Sequence, residues 1–401
     1  MVRGSATTTR PRHVSASKSE RATTAAPSVS TQYSSDRATG WVSHLPPSWV
    51  PYVQLARLTL PAALMLIYLP TLFGVLLAAV LGEVHHHPSH SPGYTCFVLL
   101  VASFFFSNAA HVWDDLVDAP IDALVARTAR RPIPRGAVSR PAALAFGVAN
   151  ALGAAATLAW GFPDPALAFR YAAPNILATT YYPFAKRHTN LPQLVLGFCL
   201  AWGVVMGAVA VGCEPYYYSH HHHTTASSTT TTTITTATLI PALLTLGPLT
   251  MRTPFLALHA ACTLWSAIYD TIYAAEDYDH DVALGVGSLV VLCGGPRGPH
   301  TKRVLYLLLA CLGGCLVVCG LSTTRTGKVG METGVGMGMS WWYYAVAPVG
   351  ATAALGAMIR DVDLEDPKST WWWFRYGYWF VAGSIVVGLA GEVALVRGWG
   401  V

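Results

Sequence analysis

Residues 93–122 read GYTCFVLLVASFFFSNAAHVWDDLVDAPID. From Gly93 to Trp113 the stretch is apolar, and about 20 such residues in a helix cross roughly 30 Å of hydrocarbon. It then closes on Asp114, Asp115, Asp118 and Asp122. Four-residue spacing sets Asp114, Asp118 and Asp122 along one helical face, about 40° apart per step. Like charges at that spacing repel, and at a membrane boundary the repulsion grows unless a cation sits among them. Pro120 predicts a kink or restart that turns Asp122 off the shared face.

The rest of the chain has the same character. Of its 401 residues 53% are hydrophobic and 11% charged, against about 25% charged in soluble domains. That disfavours a soluble enzyme, a disordered regulator and a disulfide scaffold, and no nucleic-acid partner is expected. The lipid bilayer is the expected solvent. Apolar segments of spanning length run from Tyr52 to Gly82, Gly93 to Trp113, Pro141 to Gly161, Asp164 to Phe184, Leu191 to Val211, Thr253 to Ala274, Val304 to Leu321, Trp341 to Met358 and Phe374 to Val396. They predict an all-α polytopic bundle of about nine transmembrane helices. A shorter apolar stretch, Leu239 to Met251, reads as re-entrant or interfacial. The eight cysteines fall mostly inside apolar runs without zinc-type spacing and read as small buried hydrophobes.

Residues 1–47 form a basic Ser/Thr-rich tail that cannot pack a core, readable as a transit peptide or as a disordered cytosolic tail. The membrane domain is expected over residues 48–401, with a low-complexity loop at 214–238. The runs His85 to His87 and His220 to His223 do not converge on one ion at helical spacing. Basic residues crowd the tail and every second loop: Arg127, Arg130, Arg131, Arg135 and Arg140, then Lys186 and Arg187, then Arg297, Lys302 and Arg303, then Arg360, Lys368 and Arg375. The opposite loops carry only Arg252, Arg325 and Lys328. The positive-inside rule therefore puts the N-terminus on the cytosolic or matrix side and the C-terminus outside.

A second acidic run follows the sixth segment, from Asp270 through Glu276, Asp277 and Asp279 to Asp281, with Asp277 and Asp281 again four apart. By the loop charges both clusters open on one face. Oxygen ligands without thiolates or paired imidazoles suit Mg²⁺, whose shell substrate phosphates commonly complete. Two such clusters flanked by Arg131, Arg135, Lys186 and Arg187 point to a diphosphate substrate.

These residues resemble the UbiA-type intramembrane prenyltransferases, which include the 4-hydroxybenzoate polyprenyltransferases. The family's first acidic motif is similar to Asp114, Asp115, Asp118 and Asp122 with the following run from Val125 to Ala137. Its middle signature resembles Tyr182 to Thr189, then Pro192, Gln193, Leu196, Gly197, Trp202 and Gly203. Its second acidic motif resembles Asp270 to Ala274, then Asp277, Asp281 and Gly285. Asp114 stands where the family usually has Asn, and Gly285-Val286-Gly287-Ser288 lacks the family's lysine, so that Lys186, Arg187 and Arg131 would carry more of the anion and a lysine restored at 287 would help. The first segment reads Arg57-Leu58-Thr59-Leu60-Pro61 where ubiquinone enzymes have Arg-Leu-Asp-Lys-Pro. The chain looks more like fungal members that farnesylate aromatic polyketide acids, with a terpene cyclase or a ubiquinone-pathway transferase as alternatives.

The resemblance implies metal-assisted ionisation of an allylic prenyl diphosphate. Asp114, Asp118 and Asp122 would hold one Mg²⁺ and Asp277 and Asp281 another, Asp118 and Asp277 being the positions most needed for turnover. Arg131, Arg135, Lys186 and Arg187 would contact the diphosphate, and an aromatic acceptor would capture the cation. Tyr182 and Tyr273 would face the cation through their rings, or serve as interface anchors. The location expected is the endoplasmic reticulum or the mitochondrial inner membrane. A transporter would instead show inverted repeats with broken helices at mid-membrane, whereas these acids sit at helix ends.

Overall fold

The computed structural model describes residues 40–59, 61–84, 91–125, 128–217, 250–329 and 332–397. Its helices are α1 (Val50–Leu55), α2 (Pro61–Val80), α3 (Pro92–Asp122), α4 (Arg140–Gly161), α5 (Pro165–Ala185), α6 (Pro192–Ala201), α7 (Gly203–Ala210), α8 (Thr253–Ala274), α9 (Tyr278–Leu284), α10 (Leu289–Leu292), α11 (Thr301–Leu321), α12 (Trp341–Asp361) and α13 (Pro367–Arg397). Two short antiparallel ladders, Tyr216–Tyr217 with Thr250–Met251 and Thr324–Val329 with Glu332–Met337, are the strands of the described residues. Expected features at residues 1–39, His85 to His87, 218–238 and 239–249 lie outside the described residues. Residues 40–47, assigned above to the tail, carry a short 3-10 turn, Gly40–His44, with Val42 buried.

Among the described residues eight spans are long and apolar enough to cross a membrane, α6 and α7 together making one of them. The ninth expected span is α5, equally long but interrupted by Pro174, Asn175, Thr179 and Thr180. Each span packs on the next in sequence, and α13 packs back on α2, so the spans close into a ring. Starts are set by caps: Ser91, Ser139 and Asp164 accept hydrogen bonds from the amides of Tyr94, Ala142 and Leu167, each ahead of a proline in the first turn. Across the ring α2 and α7 touch through glycine. A Cβ on Gly207 would lie 1.9 Å from the Thr71 carbonyl oxygen and one on Gly74 2.0 Å from that of Val204. Small residues let helices approach where lipid supplies no hydrophobic drive.

Three expectations are corrected. The first segment is not one helix: Arg57 takes a left-handed backbone at φ 54°, and the chain restarts at Pro61, whose ring cannot continue a helix. The second runs on past Trp113 as a helix and continues through Pro120 to Asp122 without the expected restart. The fifth is divided at Trp202, whose indole N–H donates to the Tyr171 carbonyl at 2.7 Å. At the other end of the bundle Arg252 clamps Glu83, with Nη2 2.5 Å from Oε1, and ties the end of α2 to the start of α8.

Candidate active site

The last turns of α3 carry four carboxylates, and three other elements bring cations to them. The bend after α1 aims Arg57, whose Nη2 donates to Asp114 Oδ2 at 3.1 Å and to Asp115 Oδ1 at 3.0 Å. Arg131, from the loop after α3, donates through Nη1 to Asp115 Oδ1 at 3.2 Å and Asp122 Oδ2 at 2.7 Å. Asp115 and Asp122 are two turns apart on one face, which lets one guanidinium bridge both. Lys186, just past the end of α5, pairs with Asp118, and Arg187 stands 3.8 Å from the same carboxylate. Burial acts against the charge on Lys186, but the carboxylates of Asp114 and Asp118 outweigh it and hold its pKa above the ordinary lysine value.

Asp114, Arg57 and Arg131 open into a cavity of about 170 Å³. Asp270 and Tyr273 line it from α8, Tyr182 from α5 and His111 from α3. Its apolar wall, at Ile67, Phe106, Ala110, Thr179, Cys199 and Leu200, is shared with a second cavity of about 460 Å³ between α3, α4 and α5. A charged mouth thus leads into an apolar corridor. Gln193 links the two sides of the mouth: its carbonyl oxygen accepts the Leu289 amide at 3.1 Å, and its side chain hydrogen-bonds the Asp270 carboxylate.

The expected site residues therefore divide. Asp114, Tyr182, Tyr273 and Arg131 line the cavity, while Asp118, Lys186 and Arg187 meet beside it. Asp122 is drawn to Arg131 instead of the cavity, so the axial alignment of the three aspartates does not bring all three together. Asp277 and Asp281 lie beyond the end of α8 and do not line the cavity, whereas Asp270 does. Arg135 is spent on Gln54 Oε1 and the Arg130 carbonyl, both at 2.7 Å. Gly287 is close to Lys186, donating its amide to the Lys186 carbonyl at 2.8 Å, but a Cβ there would meet the Thr189 carbonyl oxygen at 2.3 Å. No lysine fits that backbone. Sequence reasoning named Arg57, Asp115 and Asp270 in the motifs without giving them a role, and did not single out His111. A lone charge inside an apolar segment was the available signal for Arg57 and Asp270.

Among the described residues no three His, Cys, Asp or Glu side chains form a ready metal site. The donor chemistry nonetheless fits a hard divalent cation. Asp114 Oδ1, Asp115 Oδ2 and Asp118 Oδ1 are buried oxygens that accept no hydrogen bond, and buried carboxylate oxygens are costly to leave so.

Residues 67–383 match the UbiA prenyltransferase family. The chain belongs to that family. It is a multi-pass membrane enzyme, a prenyltransferase. Its UbiA relatives include the mitochondrial 4-hydroxybenzoate polyprenyltransferase of Saccharomyces cerevisiae, 28% identical over 84% of this chain and 74% of that one. Prenyltransferase stbC of Stachybotrys bisbyi is 29% identical over 86% and 87% respectively. Polyprenyl transferase andD of Emericella variicolor is 31% identical over 70% and 72%. In fold it is similar to a UbiA homolog from Archaeoglobus fulgidus bound to GPP and Mg²⁺, with a TM-score of 0.54 at 14% identity, covering 86% of this chain and 99% of that one.

Proposed function

We propose that the protein transfers a farnesyl group from its allylic diphosphate to an aromatic acceptor, a phenolic or polyketide-derived acid, in a Mg²⁺-dependent reaction of secondary metabolism. The observation that carries this reading is the joining of a buried carboxylate and cation cluster to an apolar corridor, which matches the two halves of a prenyl diphosphate. The GPP and Mg²⁺ held by the Archaeoglobus fulgidus homolog support it.

Asp114 and Asp118 would hold the metal from α3, with Asp270 across the cavity and Asp277 and Asp281 from the segment after α8. Bound Mg²⁺ supplies neutralisation of the charge that develops on the departing diphosphate. Arg57, Arg131 and Lys186 are already held at the mouth by their carboxylates, so their donors are oriented before substrate arrives. Tyr182 and Tyr273 present rings to the allylic carbon, and the apolar corridor keeps water from the cation. An electron-rich ring carbon ortho to a phenol then forms the new bond.

The test is to incubate membranes holding the protein with geranyl, farnesyl and longer diphosphates, with and without a panel of phenolic acids, and to identify products by mass spectrometry. A farnesylated phenol that disappears with EDTA and returns with Mg²⁺ is the expected result. Full activity in excess chelator, or a hydrocarbon product formed equally well without acceptor, would overturn the reading.

A further inference from the structure

His111 lies three residues before Asp114 on α3 and lines the same cavity. Its Nδ1 stands 2.7 Å from the Ser107 carbonyl oxygen. A carbonyl only accepts, so the ring proton sits on Nδ1, and the neutral imidazole presents Nε2 as an acceptor. The Ser107 hydroxyl, 3.3 Å from Nδ1, holds the same orientation. Nε2 meets no hydrogen-bonding group among the described residues. The other polar groups lining the cavity are the Arg57 and Arg131 guanidiniums, the carboxylates of Asp114 and Asp270, the phenols of Tyr182, Tyr269 and Tyr273, and the hydroxyls of Thr179 and Ser266. His111 is the neutral nitrogen acceptor among them.

We infer that His111 Nε2 accepts a hydrogen bond from the hydroxyl of the aromatic acceptor, and so selects acceptors with a free hydroxyl beside the carbon that is prenylated. The inference rests on the transferase reading above and adds to it a residue that touches the acceptor. Mg²⁺ prefers oxygen ligands, so Nε2 is better matched to a hydroxyl than to the metal. Accepting the hydrogen bond pushes electron density from the phenol oxygen into the ring, where the ortho carbon needs it. The ring π pair forms the bond to the allylic carbon, the carbon–oxygen bond to diphosphate breaks, and the diphosphate leaves with that electron pair. The ring C–H proton passes to the departing diphosphate, which restores aromaticity. The hydroxyl keeps its proton, and His111 stays neutral throughout.

The test uses the full chain in membranes with farnesyl diphosphate and a panel of free phenols, 4-hydroxybenzoate and 2,4-dihydroxybenzoate among them, each paired with its O-methyl ether. His111→Phe is expected to raise the KM for the preferred phenol at least about tenfold and to leave that for farnesyl diphosphate within about twofold. It should also erase the preference for the free phenol over its ether. His111→Gln, which retains an acceptor oxygen, should recover most of that preference. An unchanged acceptor KM in the Phe variant, or a rise in the KM for diphosphate or in the Mg²⁺ requirement instead, overturns the contact and leaves the transferase reading standing. A wild-type protein that consumes farnesyl diphosphate and attaches it to no phenol overturns both.

Discussion

Lys186 is the residue on which the proposed anion binding turns. It is half-buried against Asp118, beside Arg187, and its charge is secured by two carboxylates. Lys186→Ala or Arg131→Ala is expected to lower turnover at least about tenfold, roughly 1.4 kcal/mol of transition-state stabilisation, measured as kcat/KM for farnesyl diphosphate. Each change also strands a buried carboxylate, so thermal stability should fall alongside. Asp118→Ala and Asp270→Ala should leave little turnover while the protein still inserts in the membrane. Asp277→Ala is the informative comparison: a loss as deep as that of Asp270→Ala would show that the segment after α8 reaches the metal when substrate is bound. Gly287→Lys is expected to reduce folded yield without restoring activity to Lys186→Ala, because the added Cβ meets the Thr189 carbonyl. Partial rescue of turnover would show instead that this loop yields.

At the scale of elements, the bundle depends on approach distances that side chains cannot adjust. Gly74 and Gly207 set α2 against α7 backbone to backbone. Gly207→Val should destabilise the protein by about 1–3 kcal/mol or more, since the obstructing atom is a main-chain oxygen. The readout is a lower midpoint of thermal unfolding in detergent, with Gly383→Ala, which meets nothing within 4 Å, as the control that stays near wild type. The break between α1 and α2 was not legible, although Pro61 was in view, because Arg57 has no local reason to adopt a positive φ. Its reward is tertiary: two aspartates on α3, more than fifty residues away, receive its guanidinium. Pro120 misled in the opposite direction. Its missing amide is tolerated because packing on α4 and the Arg131 bridge to Asp122 hold the last turn of α3.

For the whole molecule, an alternating ring sets the ends of the even-numbered spans at one end of the bundle, which is why the ends of α3, α5 and α8 meet. The loop charges predict that this end faces the cytosol or matrix. A cysteine introduced near Arg130, in a background with reactive native thiols removed, should be labelled by an impermeant reagent from that side alone, and one at Glu214 from the opposite side alone. Labelling of both from one side would reject the orientation.

The apolar runs, the four-spaced aspartates of α3 and the basic loops depend on nearest neighbours and on composition, and these by themselves determined the membrane class, the bundle of spans and the first acidic cluster. Which carboxylate of the second run reaches the cavity was decided by tertiary structure. In sequence Asp270 differs from Asp277 and Asp281 only as a charge inside the apolar segment, and it is the packing of α8 and the hydrogen bond from Gln193, on a different span, that puts it at the cavity. The same holds for Asp122 and Arg57. A buried charge takes the partner that the packed helices bring within about 3 Å, since at low dielectric an unpaired charge costs more than a bent backbone. Spacing along one helix cannot foretell which partner the other helices will supply.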